Sequence, residues 1–193
     1  MNLANKLTLT RIGLTFVFML FLFMQWPYAK LCALFMFLLA SVTDYYDGKV
    51  AKQYNIVTDF GKLMDPIADK VLVLAAFLAF VELKIIPAWM VVLIISRELI
   101  ITGMRVTLLT RKKVVAATKA GKHKTVSQML SIFVILIYLS IKQLAEAAFD
   151  FPWWNLRIDN IVHNIIYVTM VITVALTLTS GISYLKNNIK ALR

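Results

Sequence analysis

The chain has 193 residues, 61% of them hydrophobic, with a mean hydropathy of +0.79; this is too apolar for a soluble domain and implies an all-α integral membrane protein. A net charge of +11 would suit nucleic acid if the basic residues shared one solvated face. They fall instead between apolar runs, as lipid head groups and loop topology require, so nucleic acid is not expected as a partner.

Residues 1–11 (MNLANKLTLTR) set leucines at 3, 7 and 9 among polar residues, the pattern of a short N-terminal interfacial helix. Lys6 and Arg11 then precede an apolar stretch, as in a secretory signal. That stretch ends in Gln25-Trp26-Pro27-Tyr28 rather than a small-residue cleavage site, so it is expected to stay as the first span, with Trp26 and Tyr28 as an interfacial belt. Six transmembrane helices are predicted, over 12–26, 28–43, 67–83, 87–109, 126–143 and 161–185. The first two are short for a bilayer of about 30 Å, and the second is expected to run past Asp44 toward Lys52 as one helix. The single cysteine, Cys32, lies in this second span; it excludes an intramolecular disulfide and reads as a small packed hydrophobe. The length suits one membrane domain over 1–193, and no internal repeat suggests an inverted-repeat transporter.

An even number of spans puts both termini on one side. Seventeen Lys and Arg residues then lie on that side and four, Lys30, Lys84, Lys142 and Arg157, on the other. The positive-inside rule makes the first side cytoplasmic.

Half of the ten acidic residues fall between Asp44 and Asp69. Asp44 and Asp47 are three apart and Asp65 and Asp69 four apart, so on helices each pair shares a face. Four carboxylates at a membrane boundary repel one another and lose hydration unless a cation compensates them. Oxygen-only ligands favour a hard divalent ion, Mg²⁺ or Mn²⁺, which would bridge phosphate oxygens. Gly48 and Gly61 remove side chains beside the carboxylates and let a bulky ligand approach, and Thr58 offers a hydroxyl between the pairs. Pro66 is expected to start the third span. Asp59 fits neither pair.

The segment DYYDGKVAKQYNIVTDFGKLMDPIAD resembles the signature of the CDP-alcohol phosphotransferases. Asp44, Asp47, Gly48, Ala51, Gly61, Asp65 and Asp69 match at the family's spacings, and Lys52 stands where the family has arginine, keeping the charge without the planar fork. The resemblance implies a six-helix homodimer in which Asp44, Asp47, Asp65 and Asp69 bind two divalent cations. Asp69 would also be the general base, with Gly48, Gly61, Lys52 and Thr58 at the CDP-lipid. Asn5, Thr8 and Arg11 resemble a short family motif that closes over the nucleotide.

The acceptor is expected at a second basic cluster. Arg97 sits beside Glu98 in an apolar run, where charge is expensive unless paired or functional. Arg105 is about two turns on, and Lys122 and Lys124 precede the fifth span. Four cations near one membrane face form a credible phosphate site; the alternatives are an internal salt bridge to another helix's carboxylate for Arg97 and a positive-inside loop for Lys122 and Lys124. His123 and His163 form no ligand set. The runs SREL, TGMR and GKHKTVSQM also resemble the phosphatidylglycerophosphate synthase branch of the family. The expected reaction is therefore phosphatidyl transfer from CDP-diacylglycerol to glycerol 3-phosphate, with release of CMP, at the cytoplasmic face of a bacterial inner membrane. Alternatives are the same chemistry on inositol phosphate, serine or phosphatidylglycerol, a divalent-cation transporter, or a lipid-binding regulatory protein.

Overall fold

The computed structural model describes the backbone of residues 3–54, 59–110, 119–147 and 156–192, and the side chains of 9–43, 70–104, 124–147 and 156–187. Six helices account for it: α1 (Leu3–Phe23), α2 (Ala29–Tyr54), α3 (Asp59–Glu82), α4 (Ala88–Thr110), α5 (Lys119–Ala147) and α6 (Leu156–Leu192). No strand occurs among the described residues. As expected, α2 runs without interruption from the apolar segment through Asp44 and past Lys52.

Two expectations are corrected. Residues 3–11 are not a separate interfacial element but the first turns of α1. The reason is that Arg11, Thr15, Phe18 and Leu22, spaced i, i+4, i+7 and i+11, make one buried stripe that carries the helix across the expected break. The third helix starts at Asp59 rather than near Pro66, which therefore lies in the helix interior. The chain gives up one i→i−4 hydrogen bond there, a loss that membrane helices tolerate.

The chain forms two compact units. In the first, Met1–Ala79 with Ile132–Asp159, α1 and α2 pack through Phe18 and Phe37, whose ring centroids are 5.6 Å apart. Phe133 of α5 meets Phe37 edge-on at 5.3 Å. Ala29, Ala33 and Ala40 share the buried face of α2 with Phe37, and such small side chains let backbones approach closely. Lys30 bonds the Leu22 carbonyl and so caps α1, placing a cation where the helix dipole favours one. The Lys30 backbone N–H donates to Gln143 Oε1 at 2.8 Å, and Tyr138 OH and Lys142 Nζ both donate to Asp159.

In the second unit, Phe80–Ser131 with Asn160–Arg193, the α3–α4 connection is a Schellman turn. Ile85 N–H bonds the Phe80 carbonyl and Lys84 N–H the Val81 carbonyl, each at 2.9 Å, with Lys84 at φ 57°. The buried face of α4 carries Met90, Ile94, Glu98 and Ile101; that of α6 carries Ile166, Met170, Thr173, Thr177, Ser180 and Tyr184.

Side-chain polarity is inverted relative to a soluble protein. Leu20 and Leu99 are 72% and 65% exposed, whereas Glu98 and Lys124 are each only 8% exposed. Apolar surface outside and charge inside is the arrangement that lipid selects. Among the described residues, Lys124–Ala147 and Leu156–Asn187 are long and apolar enough to cross a membrane, and Leu9–Phe23 and Ala29–Thr43 are shorter apolar helices.

Candidate functional site

Two groups of residues are candidates for the site. The acidic signature is spread over two helices. Asp44, Asp47, Gly48 and Lys52 lie on the C-terminal half of α2, and Gly61, Asp65 and Asp69 on the N-terminal half of α3. Both backbones are helical throughout these stretches, so each aspartate pair is separated by about one turn. The side chains of these residues and of Asn5 lie outside the described ones, as does Thr58 altogether.

The second group is built inside the second unit. Arg97 Nη1 donates to Glu98 Oε1 at 3.1 Å, and Arg97 Nη2 donates to Ser180 Oγ on α6 at 2.7 Å. Lys124, on the first turns of α5, forms an ion pair with the same Glu98 oxygen. The three side chains are about nine-tenths buried. Thr102, one turn beyond Glu98, bonds back to the Glu98 carbonyl at 2.7 Å.

Gly181 makes room for this arrangement. A Cβ there would stand 2.9 Å from Arg97 Cγ, closer than real Cβ contacts come, and 3.1 Å from Nε, a tight contact. The guanidinium therefore reaches Ser180 by passing over a backbone that has no side chain. Two cations from two helices thus meet on one carboxylate, and a hydroxyl from a third helix accepts from the arginine. A phosphate oxygen offers the same acceptor chemistry as that carboxylate oxygen, in the donor geometry that arginine and lysine use for both.

Of the four cations expected to hold an acceptor phosphate, the structure brings Arg97 and Lys124 together through Glu98. The Arg105 and Lys122 side chains lie outside the described residues. Glu98 as the hub, and Ser180 and Gly181 as the α6 contribution, were not anticipated. Their signal in the sequence is a cluster of hydroxyl and small residues (TLTSGIS) within the long apolar run of α6, where polar and small residues mark helix contacts. Arg11, expected near the nucleotide, is buried on the inner stripe of α1.

A family model described as CDP-alcohol phosphatidyltransferase matches residues 1–179. The CDP-diacylglycerol–glycerol-3-phosphate 3-phosphatidyltransferase of Bacillus subtilis (strain 168) is 37% identical over 204 residues, covering 100% of this chain and 97% of its own length. A probable phosphatidylglycerophosphate synthase of Mycobacterium tuberculosis (strain H37Rv) is 39% identical over 142 residues, or 72% of this chain and 68% of the relative. A protein of Rickettsia bellii with the same name as the Bacillus relative is 36% identical over 136 residues, or 70% of this chain and 75% of its own.

Proposed function

The chain belongs to the CDP-alcohol phosphatidyltransferase family, and from that premise we propose that it transfers the phosphatidyl group of CDP-diacylglycerol to sn-glycerol 3-phosphate, giving phosphatidylglycerophosphate and CMP. The names of the relatives support this acceptor. The observation that carries it is the buried convergence of Arg97 and Lys124 on one carboxylate oxygen. An acceptor that already bears phosphate uses such a site; serine lacks the group the site would hold.

The chemistry divides between the two groups. Arg97 and Lys124, joined by Arg105 and Lys122, hold the acceptor's phosphate. Asp69 takes the proton from the acceptor's primary hydroxyl as its oxygen forms a bond to the β-phosphorus of CDP-diacylglycerol, and the bond from that phosphorus to the CMP oxygen breaks. Asn5, Lys52 and Thr58 bind the CDP moiety, and Gly48 and Gly61 let it approach the helix backbones. The donor set of Asp44, Asp47, Asp65 and Asp69 is oxygen-only and fits two hard divalent cations, Mg²⁺ or Mn²⁺, which when bound supply positive charge at the diphosphate.

The chain works as one membrane domain over 1–193, a homodimer with six spans. Seventeen basic residues against four put both termini and the active site on the cytoplasmic side of the bacterial inner membrane. The donor's acyl chains stay among the membrane lipids while its nucleotide lies at the interface.

An acceptor panel tests the reading. Purified protein in detergent is given CDP-diacylglycerol with glycerol 3-phosphate, inositol phosphate, serine or phosphatidylglycerol, and CMP and lipid product are measured. Glycerol 3-phosphate should give the highest kcat/KM. A clear preference for another alcohol would replace the acceptor, and no CMP release with any of them would remove the enzyme reading.

A further inference from the structure

A polar seam runs from Lys124 into the apolar part of the second unit. On α5, Lys124, Gln128 and Ser131 recur at i, i+4 and i+7; on α6, Thr173, Thr177 and Ser180 recur at the same spacing. All six are buried. At one end of the seam the two helices meet where Ser131 and Thr173 share a hydrogen bond of 2.8 Å. At the other end Lys124 reaches Ser180 through Glu98 and Arg97. Gln128 and Thr177 occupy the level between these two closures.

That middle level is unlike its neighbours. Gln128 Nε2 and Thr177 Oγ1 have no hydrogen-bond partner, although the residues are only 4% and 0% exposed. Two other hydroxyls on these helices return to a backbone carbonyl one turn back: Ser140 bonds Leu136 and Thr179 bonds Ala175, both at 2.8 Å. Thr177 does not take that local option. Burying an amide donor and a hydroxyl without partners is unfavourable, and leucine and valine would fill the same volume without that cost. Such a pair persists where something else supplies the missing bonds.

We propose that Gln128 and Thr177 hydrogen-bond the secondary hydroxyl of the acceptor, a phosphorylated polyol whose phosphate is held one helical turn away by Arg97 and Lys124. This rests on the acceptor reading above and adds the element that separates glycerol 3-phosphate from other alkyl phosphates. Cations alone select phosphate and are indifferent to the carbon chain that carries it. The hydroxyl on the carbon next to the phosphoester carbon is the nearest polar group that a seam continuing from Lys124 could read. The side chains would be specificity residues, with no part in bond making.

The test uses a substrate that lacks only this hydroxyl. In 3-hydroxypropyl phosphate the phosphate and the attacking primary hydroxyl are kept and the secondary hydroxyl is gone. Wild-type protein should prefer glycerol 3-phosphate by about tenfold or more in kcat/KM, the scale of one or two neutral hydrogen bonds. Gln128→Leu and Thr177→Val should lower kcat/KM for glycerol 3-phosphate toward the value for the deoxy substrate and leave the deoxy value unchanged. Both variants should keep or raise Tm in detergent, because each removes an unpartnered buried group. Equal losses on both substrates, or no loss on either, would overturn the proposal. A wild-type protein that used neither phosphate would instead overturn the acceptor reading on which it stands.

Discussion

The Arg97 side chain crosses α6 at Gly181, where a Cβ would meet its Cγ at 2.9 Å, and ends on Ser180 Oγ at 2.7 Å. A glycine inside a helix ordinarily costs about 1 kcal/mol relative to alanine, so Gly181→Ala would be stabilising on an open face. Here the added methyl meets the middle of the arginine rather than its flexible end, and the guanidinium must move. Gly181→Ala should therefore raise KM for glycerol 3-phosphate by about tenfold, the loss of one charge-assisted contact. It should leave KM for CDP-diacylglycerol within about twofold. Steady-state kinetics with each substrate varied in turn checks this, and an equal rise in both KM values would mean a general disturbance of the helix.

Glu98 binds both Arg97 and Lys124 while being 8% exposed itself. Removing one member of a buried ion cluster leaves the others poorly compensated, at a cost of about 3–5 kcal/mol when the whole charged partner is lost. Glutamine keeps a carbonyl acceptor, so Glu98→Gln should cost less, about 1–3 kcal/mol. Its Tm should fall. An added anion can restore the lost compensation, so inorganic phosphate or glycerol 3-phosphate should raise the Tm of Glu98→Gln by more than it raises that of the wild type. Thermal unfolding in detergent, with and without each anion, reads this out. Equal shifts in the two proteins would show that these cations do not receive the phosphate.

The helices were legible because each apolar run has its own boundary signals. Pro87 precedes α4, and Gln25 to Tyr28 separate α1 from α2. Two boundaries were misplaced for the same reason. Arg11 and Pro66 look like edges to a reading based on hydropathy, yet Arg11 belongs to a buried stripe and Pro66 is carried within α3. The aspartates could be found because ionised groups recur at helical spacing over a short window. The α6 contribution could not be found that way. Ser180 and Gly181 matter through Arg97 of α4, which lies against them, and a hydroxyl or glycine in a helix carries no record of its partner. Gln128 falls inside a run that carried the resemblance, but nothing local set it apart from neighbouring Ser127.

Lys84 occupies the left-handed position of the Schellman turn that ends α3, at φ 57°. A side chain with a Cβ pays about 1–2 kcal/mol in that conformation, and glycine does not. The flanking hydrogen bonds, Ile85 to Phe80 and Lys84 to Val81, use backbone atoms and survive the change. Lys84→Gly should therefore stabilise the protein by about 1 kcal/mol without altering kcat or either KM. Lys84 is also one of only four basic residues on the expected outer side, so its removal strengthens the topological bias. Tm in detergent is the measurement; a lower Tm would show that the lysine side chain contributes more than the turn costs.

Asp65 and Asp69 stand on α3 one turn apart, and Asp59 begins the same helix. All three are aspartates on the N-terminal half of one helix, so general effects of charge removal should be similar for each. Only Asp65 and Asp69 fit the family's signature, and only they are proposed to hold divalent cations, Asp69 with the proton as well. Asparagine keeps the size of the side chain and removes the charge needed for a metal ligand or base. Asp65→Asn and Asp69→Asn should each lower kcat by about a hundredfold or more, the scale of a lost general base. Asp59→Asn should stay within about threefold of wild type. The two inactive variants should also require more Mg²⁺ or Mn²⁺ to reach half-maximal protection against thermal unfolding, a readout independent of turnover. Near-normal kcat in either would remove the assignment of that carboxylate. A loss in Asp59→Asn equal to the other two would mean that the surface potential of this helix, not a defined metal and proton site, controls the reaction.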